Sequence, residues 1–439
     1  MGRAIADERK TSSRFDLLLF LSIVAIAASY VASAKVGFSL AFETQQVSAV
    51  WPPTGIAIAA LVLLGYRVWP GVWLGAFVSN AITNEPLWTA ALIATSNTLG
   101  PLLGALLLRR VANFDVSLER VRDIAALVLF GSIIAMTVTA TNGVFSLALA
   151  HVVPWSSYPS VWLLWWSGDA MGVLLVAPLI FTWSTLKRPF TMSLASALEH
   201  AAFAIALVAA TWFLFLTNFQ WSLSLYPLII WCGLRFHQRA VALTIVTVSA
   251  IAIIGTLRGL GPFTSGSLDH RLVLLVTFMV VLGVTGLVLG ALTAERRSAN
   301  ARLKEAEQRL TKVAQIVPQM LFTADKSGRV DWHNSRWHEY TGQSEEEAMG
   351  LGWQDAYHPE DVRHVVHDWP RSIGAGEPFD YEARIRRGDG TSRWFLIRAE
   401  PLRDPSGSVI RNRAAGTPNS NPSHSARTEA TISFPSGAL

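Results

Sequence analysis

The chain has 439 residues, of which 51% are hydrophobic and only 15% charged, so most of it cannot be a water-soluble globule, where about 25% of residues are charged. The excess of 36 Lys and Arg over 31 Asp and Glu lies entirely before residue 295, where 16 basic residues oppose 11 acidic ones. Because these basic residues are spread over short loops between apolar segments and form no basic face, we expect no binding to nucleic acid.

Ten mainly apolar segments follow one another up to residue 294. A helix needs about 20 such residues to cross a hydrocarbon core of roughly 30 Å. Since the third segment is interrupted and the eighth is short, we predict a polytopic α-helical membrane bundle of 8–10 spans, embedded over residues 16–294 after a cytoplasmic N-terminus of residues 1–15. The segments lie near 16–34, 47–65, 68–84, 88–108, 124–149, 160–184, 198–217, 221–234, 240–257 and 272–294.

The distribution of basic residues predicts the orientation of the bundle, because Lys and Arg gather in cytoplasmic loops. With ten spans and the N-terminus inside, 13 of the 16 basic residues before residue 295 fall on the cytoplasmic side. An even number of spans returns the chain to the cytoplasm, where Arg296 and Arg297 follow the last segment. We therefore expect both termini to be cytoplasmic and the lipid bilayer to surround the bundle.

One acidic residue lies deep in an apolar segment, where ionisable side chains are costly and are candidates for function. Asp169 is near the middle of the segment 160–184, and Gly168 and Gly172 beside it would allow another helix to approach closely. Asp169 could form a ligand or proton site or pair with a polar group of another span. A structural hydrogen bond or a misplaced span boundary would also explain it.

Three asparagines add a polar side to neighbouring segments. Asn80 and Asn84 lie in the third segment and Asn97 lies in the fourth. For all three we favour hydrogen bonds between helices over contact with a ligand. Tryptophans near the ends of segments, Trp165 among them, are expected to anchor the bundle at the membrane interface.

The second segment opens with Trp51, Pro52 and Pro53. The two prolines remove two backbone donors, and a break of this kind inside a membrane is tolerated where it lines a cavity or is buried by protein. Alternatively, the prolines simply occupy the first turn of a helix. Both interpretations remain open, and we keep these three residues as candidates for a ligand or signalling site.

A charged segment follows the last apolar one, over residues 295–317. Its apolar residues recur at alternating steps of three and four, which is typical of a coiled-coil seam. The segment is either a solvated helix that joins two domains or a parallel helix that forms a homodimer and transmits a membrane event. We predict a helical signalling linker, with the seam formed by Leu303, Ala306, Leu310, Val313 and Val317.

After the linker, short runs of alternating apolar and polar residues predict β-strands. The turns at Lys326-Ser327-Gly328 and Gly388-Asp389-Gly390 each join two runs, which indicates two hairpins. Short helices are expected between the hairpins, because Ser344 and Glu347 form a capping box and Pro359 suits a first helical turn. This order predicts a small cytoplasmic α+β domain with an antiparallel sheet.

The end of the chain has a different composition. Residues 412–439 are rich in Ser, Pro, Asn, Thr and Ala without apolar periodicity, so we expect a disordered tail. The α+β domain would then cover residues 318–411, with its fifth strand cut short. The fourth strand would be left as an unprotected edge of the sheet.

Two parts of the chain resemble known families. The stretches TADKSGRVDWHNSRWHEYTGQS, GWQDAYHPEDV and FDYEARIRRGDGTSRWFLIRAEPLRDPSG resemble a PAS sensor domain. VWPPTGIAIAALVLLGYRVWPGVWLGAFVSN and WWSGDAMGVLLVAPLI resemble the membrane-associated sensor domain of type one, the MASE family, over nearly all of residues 15–294. In that family the domain is the N-terminal input of bacterial histidine kinases and diguanylate cyclases, followed by PAS modules, a coiled linker and a catalytic domain.

The resemblance implies a signal-transduction receptor in the bacterial inner membrane, the sensory input half of a two-component histidine kinase type protein. An unknown small molecule would bind the bundle, and residues 295–317 would pass the change to the PAS domain. Only 28 residues follow residue 411, so we expect a truncated or frame-shifted member whose output is lost or supplied by a separate kinase or cyclase partner. The alternative is a secondary transporter with a cytoplasmic regulatory domain, although no inverted repeat is found.

No catalytic residue, cofactor or metal site can be identified in the sequence. It contains no Walker A, G-x-S-x-G or H-E-x-x-H motif, so whether the chain is an enzyme stays open. The single cysteine, Cys232, lies in an apolar segment, which excludes an internal disulfide, a cysteine-based metal site and the cysteine adduct of a flavin photosensor in the PAS domain. Five histidines match no ligand spacing: His333, His338, His358, His364 and His367.

Overall fold

The structure is a computed structural model that describes residues 2–39, 48–83, 86–185, 193–217 and 222–419, without the side chains of 2–15, 222–223 and 268–269. The chain divides after Ser298 into a membrane unit and a second unit. Each unit has its own hydrophobic core. The predicted disorder of residues 420–439 falls outside the described residues.

Each of the ten predicted apolar segments coincides with a helix in the described part of the membrane unit. A π-helical stretch, Leu127–Ile134, joins α5 to α6, so that these three elements form one continuous helix. The helices are α1 (Gly2–Ser39), α2 (Pro52–Leu64), α3 (Trp69–Ala81), α4 (Leu87–Arg110), α5 (Val121–Ala126), α6 (Ala135–Leu149), α7 (Tyr158–Ser184), α8 (Leu194–Phe215), α9 (Tyr226–Arg235), α10 (Gln238–Leu257) and α11 (Leu268–Ile316).

Among the described residues, seven of these ten continuous helices are long and apolar enough to cross a membrane. The other three are short, with 13 residues each in α2 and α3 and 10 in α9. At 1.5 Å per residue α2 extends about 20 Å, less than the roughly 30 Å of a hydrocarbon core. It is shorter than the predicted segment 47–65 because the helix begins only at Pro52 and ends at Leu64, before Gly65, whose φ is +92°.

The last membrane helix and the predicted linker form one continuous helix. α11 runs from Leu268 to Ile316 without interruption and so includes nearly all of residues 295–317. Among the predicted seam residues, the side chains of Leu303, Leu310 and Val313 are exposed. The segment is therefore helical as far as Ile316, and these three seam residues face solvent in the single chain.

The second unit is an antiparallel five-stranded sheet with three helices in the connection between β2 and β3, the longest of which has 17 residues. The strands lie in the order β2-β1-β5-β4-β3. Both predicted hairpins form, and Gly328 and Gly390 occupy their turns with positive φ values of 82° and 88°. The elements are β1 (Met320–Ala324), β2 (Val330–His333), α12 (Ser335–Thr341), α13 (Glu345–Ala348), α14 (Pro359–Ala375), β3 (Phe379–Arg386), β4 (Ser392–Arg403) and β5 (Val409–Pro418).

The local signals that predicted the helices of this unit are confirmed. Ser344 accepts a hydrogen bond from the Glu347 backbone N–H at 3.3 Å, and the Glu347 carboxylate accepts one from the Ser344 N–H at 2.8 Å. Pro359 lies in the first turn of α14. These contacts satisfy backbone donors at helix starts, where no partner exists within the helix.

The prediction of a shortened fifth strand is wrong. β5 is ten residues long and pairs with β1 on one side and β4 on the other, so β4 is not an edge of the sheet. Its residues Asn412, Ala414 and Ala415 are buried. Small and polar residues resemble a loop in sequence, but a central strand covered by neighbours accommodates them. The domain therefore continues to Pro418, and the predicted tail does not begin at residue 412.

Candidate functional site

The two motifs that stood out in the membrane segments contact each other directly. The Trp51 N–H donates to the Gly168 carbonyl at 2.8 Å. A Cβ on Gly168 would lie 2.5 Å from the Ser48 carbonyl, and a Cβ on Gly172 would collide with the Trp51 carbonyl. Gly55 is packed equally closely against the Gly172 carbonyl. The glycines are therefore required because the backbone before and within α2 lies directly against α7.

Beside this contact lies a small cavity of about 30 Å³. It brings together Asp169 of α7, Asn80 of α3, Asn97 of α4 and Trp51, four of the six residues selected from the sequence. The other residues around it are Phe38, Ser48, Trp165 and Gly168. We call this cavity the Asp169 pocket.

Pro52 and Pro53 do not line the Asp169 pocket. They occupy the first turn of α2, where a missing N–H leaves no intrahelical bond unmade. The structure thus agrees with the simpler of the two interpretations for the prolines. The residues just before them, Ser48 and Trp51, are non-helical and do line the pocket, which is where irregular backbone is tolerated in a membrane protein.

Asp169 is only 1% exposed and lies near the middle of α7, as predicted. Its Oδ1 accepts a hydrogen bond from the Thr54 hydroxyl at 2.5 Å. The Trp165 side chain also interacts with the carboxylate. No donor among the described residues reaches Oδ2 with hydrogen-bond geometry. Asp169 therefore lines the pocket with a buried oxygen that accepts no hydrogen bond of good geometry from the described residues.

The two asparagines have different surroundings. Asn97 donates through Nδ2 to the Tyr30 hydroxyl of α1 at 3.2 Å, which is a hydrogen bond between helices. Its Oδ1 is buried and has no partner within the described chain. Asn80 donates to the Ala76 carbonyl of its own helix at 2.8 Å. Of these two, only Asn97 thus forms the interhelical bond that we favoured, and Asn84 lies outside the described residues.

Three contributors to the site were not selected from the sequence. Tyr30 contacts Asn97 from α1, and Thr54 holds Asp169 although the two residues are 115 positions apart. Trp165 lines the pocket and was predicted to be an interfacial anchor. Thr54 was visible within the motif WPPTG, but Tyr30 and Trp165 are ordinary residues of apolar segments.

The contact between α2 and α7 can be tested by enlarging Gly172. We expect Gly172→Ala to reduce the thermal stability of the membrane unit, because the added Cβ has only backbone to displace. Overpacking of this kind costs about 1–3 kcal/mol. Gly283→Ala is the matched control in α11, since its Cβ would meet the Leu174 side chain at an ordinary 3.4 Å. Melting of the detergent-purified protein should separate the two variants, and equal melting would contradict the assigned contact.

Comparison with known families decides the identity of the membrane unit. The MASE1 family matches residues 23–297, which is more than half of the chain. This chain belongs to the MASE1 family. Its second unit matches the PAS fold over residues 330–415, and the five-stranded sheet described above agrees with that match. The MASE1 match makes the chain a multi-pass membrane protein.

Curated relatives of this MASE1 protein include sensors with enzymatic outputs. The chain is 21% identical over 379 residues to the probable diguanylate cyclase DgcE of Escherichia coli (strain K12), an alignment that covers 83% of the chain and 33% of DgcE. It is 38% identical over 95 residues to the peroxide stress-activated histidine kinase mak1 of Schizosaccharomyces pombe, covering 21% of the chain and 6% of mak1. It therefore spans a third or less of the length of either relative.

Two solved structures with similarity to this chain each cover about a quarter of it. The N-terminal domain of a diguanylate cyclase with PAS/PAC sensor from Marinobacter aquaeolei is 18% identical, covers 23% of this chain and 94% of that chain, and has a TM-score of 0.21. The PAS domain of an HTR-like protein from Haloarcula marismortui is 20% identical, covers 28% and 99%, and has a TM-score of 0.23. The family matches and the curated relatives, not these likenesses, indicate a sensory role in signal transduction.

Proposed function

We propose that this MASE1 protein is the sensory input part of a two-component receptor of the histidine kinase type, and that its signal is a small molecule bound in the Asp169 pocket. The observation that carries the proposal is Asp169, which lines the cavity and has a buried Oδ2 that accepts no hydrogen bond from the described residues. Side chains from α1, α3, α4 and α7 line that cavity. A ligand there would change the relative stability of alternative packings of four helices.

The cytoplasmic transmission of the signal is assigned to α11. Its exposed seam of Leu303, Leu310 and Val313 would pair with the same seam of a second copy, as in a parallel coiled coil. At its end, Asn334 donates to the carbonyls of Ala314 and Gln319 at 3.1 and 2.8 Å. These bonds fasten the helix end to the start of β1, so a rotation of the helix would act on the PAS sheet.

The proposed orientation, with both termini in the cytoplasm, is supported by contacts among the loops that the sequence assigned to that side. The Val121 N–H donates to the Glu295 carboxylate at 3.1 Å. Arg297 donates to the carbonyl of Arg235 at 2.9 Å, and Arg235 pairs with Glu199 at 2.6 Å. Three predicted cytoplasmic loops and the end of the last span thus meet at one end of the bundle. The Asp169 pocket would then open toward the outer half of the membrane.

The output of the receptor is assigned to a kinase or cyclase module, on a partner or on further sequence. A histidine kinase output agrees with the activity in the printed name of mak1, whose similarity covers 21% of the chain. A diguanylate cyclase output is a second candidate, because the alignment with DgcE covers 83% of the chain. A transporter lacks a comparable observation in its favour.

The receptor function can be tested by joining the full chain to the catalytic core of a histidine kinase. We expect Asp169→Asn to lock autophosphorylation on or off in membrane vesicles by about tenfold, because the variant removes the pocket charge that distinguishes the helix packings. Asp16→Asn is the control, since it removes an exposed acid at the start of the first span. An unchanged response of Asp169→Asn, with normal insertion, would remove the pocket from the signalling mechanism.

A further inference from the structure

The Asp169 pocket contains two buried hydrogen-bond acceptors that lack donors. Asp169 is 1% exposed and Asn97 is 4% exposed. The free atoms are Asp169 Oδ2 and Asn97 Oδ1, and neither accepts a hydrogen bond from a described residue. Leaving a buried acceptor unsatisfied costs about 1–3 kcal/mol, and more for a charged one. A ligand that donates hydrogen bonds would therefore be stabilised here.

The charge of Asp169 narrows the choice of donor. No Lys, Arg or His is among the described residues that line the pocket, and Thr54, which holds Oδ1, is neutral. The neighbouring segment 40–47, whose structure is not described, contains no basic residue in its sequence. A buried ionised carboxylate is strongly disfavoured unless it is paired. A donor with a positive charge would therefore be stabilised by Asp169 more than a neutral donor.

The walls of the pocket favour an organic cation. Phe38, Trp51 and Trp165 contribute three aromatic rings, and the rings of Phe38 and Trp51 pack edge to face at 4.9 Å. Aromatic faces attract ammonium groups, whereas hard inorganic cations take several oxygen ligands. The cavity of about 30 Å³ has room for two or three groups of the size of a water molecule, each of which needs about 10–15 Å³.

We propose that the Asp169 pocket binds a small protonated primary amine. Its ammonium group would donate to Asp169 Oδ2 and Asn97 Oδ1, and its short carbon chain would lie against the rings of Trp51 and Trp165. This inference rests on the proposed function only for its meaning as a signal. Binding itself depends on the pocket and can be measured without any output domain.

The test is a titration of the purified full chain in nanodiscs with ethylammonium chloride, followed by tryptophan fluorescence and by calorimetry. We expect saturable binding that equal concentrations of sodium chloride and of ethanol, the neutral molecule of the same size, do not reproduce. Asp169→Asn should weaken binding at least tenfold, because it removes a charge-assisted hydrogen bond. Asn97→Ala should weaken it several-fold, and Glu119→Gln, which removes an exposed acid elsewhere in the unit, should leave it unchanged.

Each other outcome overturns the proposal. Absence of saturable binding to the folded wild-type protein would mean that water or protein fills the pocket. Equal binding of sodium would replace the amine by an inorganic cation. Binding that persists in both Asp169→Asn and Asn97→Ala would place the amine elsewhere. None of these results tests whether Asp169 acts in signalling, because that part of the proposed function fails only if Asp169→Asn leaves the kinase fusion unchanged.

Discussion

A chain that ends after residue 411 should contain an unfolded PAS domain, whereas a chain that ends after Asn419 should contain a folded one. The difference is β5, which lies between β1 and β4 in the sheet. Its loss would remove the pairing from Met320↔Gly416 to Ala324↔Asn412 on one side. On the other side it would remove the pairing that begins at Phe395↔Pro418. A sheet cut through its centre leaves two hairpins, and isolated hairpins are marginally stable in water.

The two shortened proteins should differ in protease resistance and in circular dichroism. We expect trypsin to cut the PAS region of the shorter protein within minutes under conditions that leave the longer one intact. The membrane unit serves as the internal control, because β5 belongs to the other unit and the membrane fragments should be the same in both proteins. A resistant PAS region in the chain that ends after residue 411 would mean that β5 is dispensable.

The contrast between β5 and the other elements shows which features a sequence can predict. The ten apolar segments, the hairpin turns and the capping box of Ser344 and Glu347 are local patterns, and each is present in the structure. β5 carries no such pattern. Its residues Asn412, Ala414 and Ala415 are buried because the strand pairs with β1, which is distant in sequence. Its place in the sheet is a property of the tertiary structure alone.

In the candidate site, too, the sequence predicted what depends on local composition and missed what depends on tertiary contacts. Asp169 could be selected from the sequence because a carboxylate is costly in an apolar segment wherever it packs. Its hydrogen bond to Thr54 joins positions far apart in sequence, and Tyr30 reaches Asn97 across 67 positions. These partners depend on which helices are neighbours, which periodicity does not specify. The sequence therefore predicted Asp169, but its partner Thr54 and the contact of Tyr30 with Asn97 could be identified only from the structure.

Acidification should destabilise the PAS domain through His333, a residue that no function has so far explained. His333 lies in the core of the domain, 4% exposed, with its ring stacked at 4.6 Å on that of Trp337. Neither ring nitrogen has a hydrogen-bond partner among the described residues. Burial, and to a smaller extent the nearby His338, lower the pKa of His333 to about 3. The folded domain therefore holds this imidazole in its neutral form.

The sign of the effect follows from the two pKa values. In the unfolded chain the histidine pKa is about 6.5, so the unfolded state binds the proton more readily than the folded state. Above pH 6.5 neither state binds the proton, so His333 does not make stability depend on pH. As the pH falls from about 6.5 towards about 3, only the unfolded state binds it, and the folded domain progressively loses stability. At pH 5 the gap of about 1.5 pH units corresponds to about 2 kcal/mol.

Replacing the imidazole by an apolar ring should abolish this loss. At pH 7.5 we expect the free energy of unfolding of His333→Phe to equal or exceed that of the wild-type domain, because the variant removes two unsatisfied nitrogens. At pH 5 its advantage over the wild type should be larger by about 2 kcal/mol. His333→Leu tests the same point with a smaller side chain. Urea unfolding of residues 299–439 at both pH values measures the difference, and His367→Gln, which removes an exposed histidine, should follow the wild type. If the wild-type domain is equally stable at pH 7.5 and pH 5, the prediction is wrong. The nitrogens of His333 would then have hydrogen-bond partners in solution, and water would enter the core between Phe322, Trp337 and Trp369.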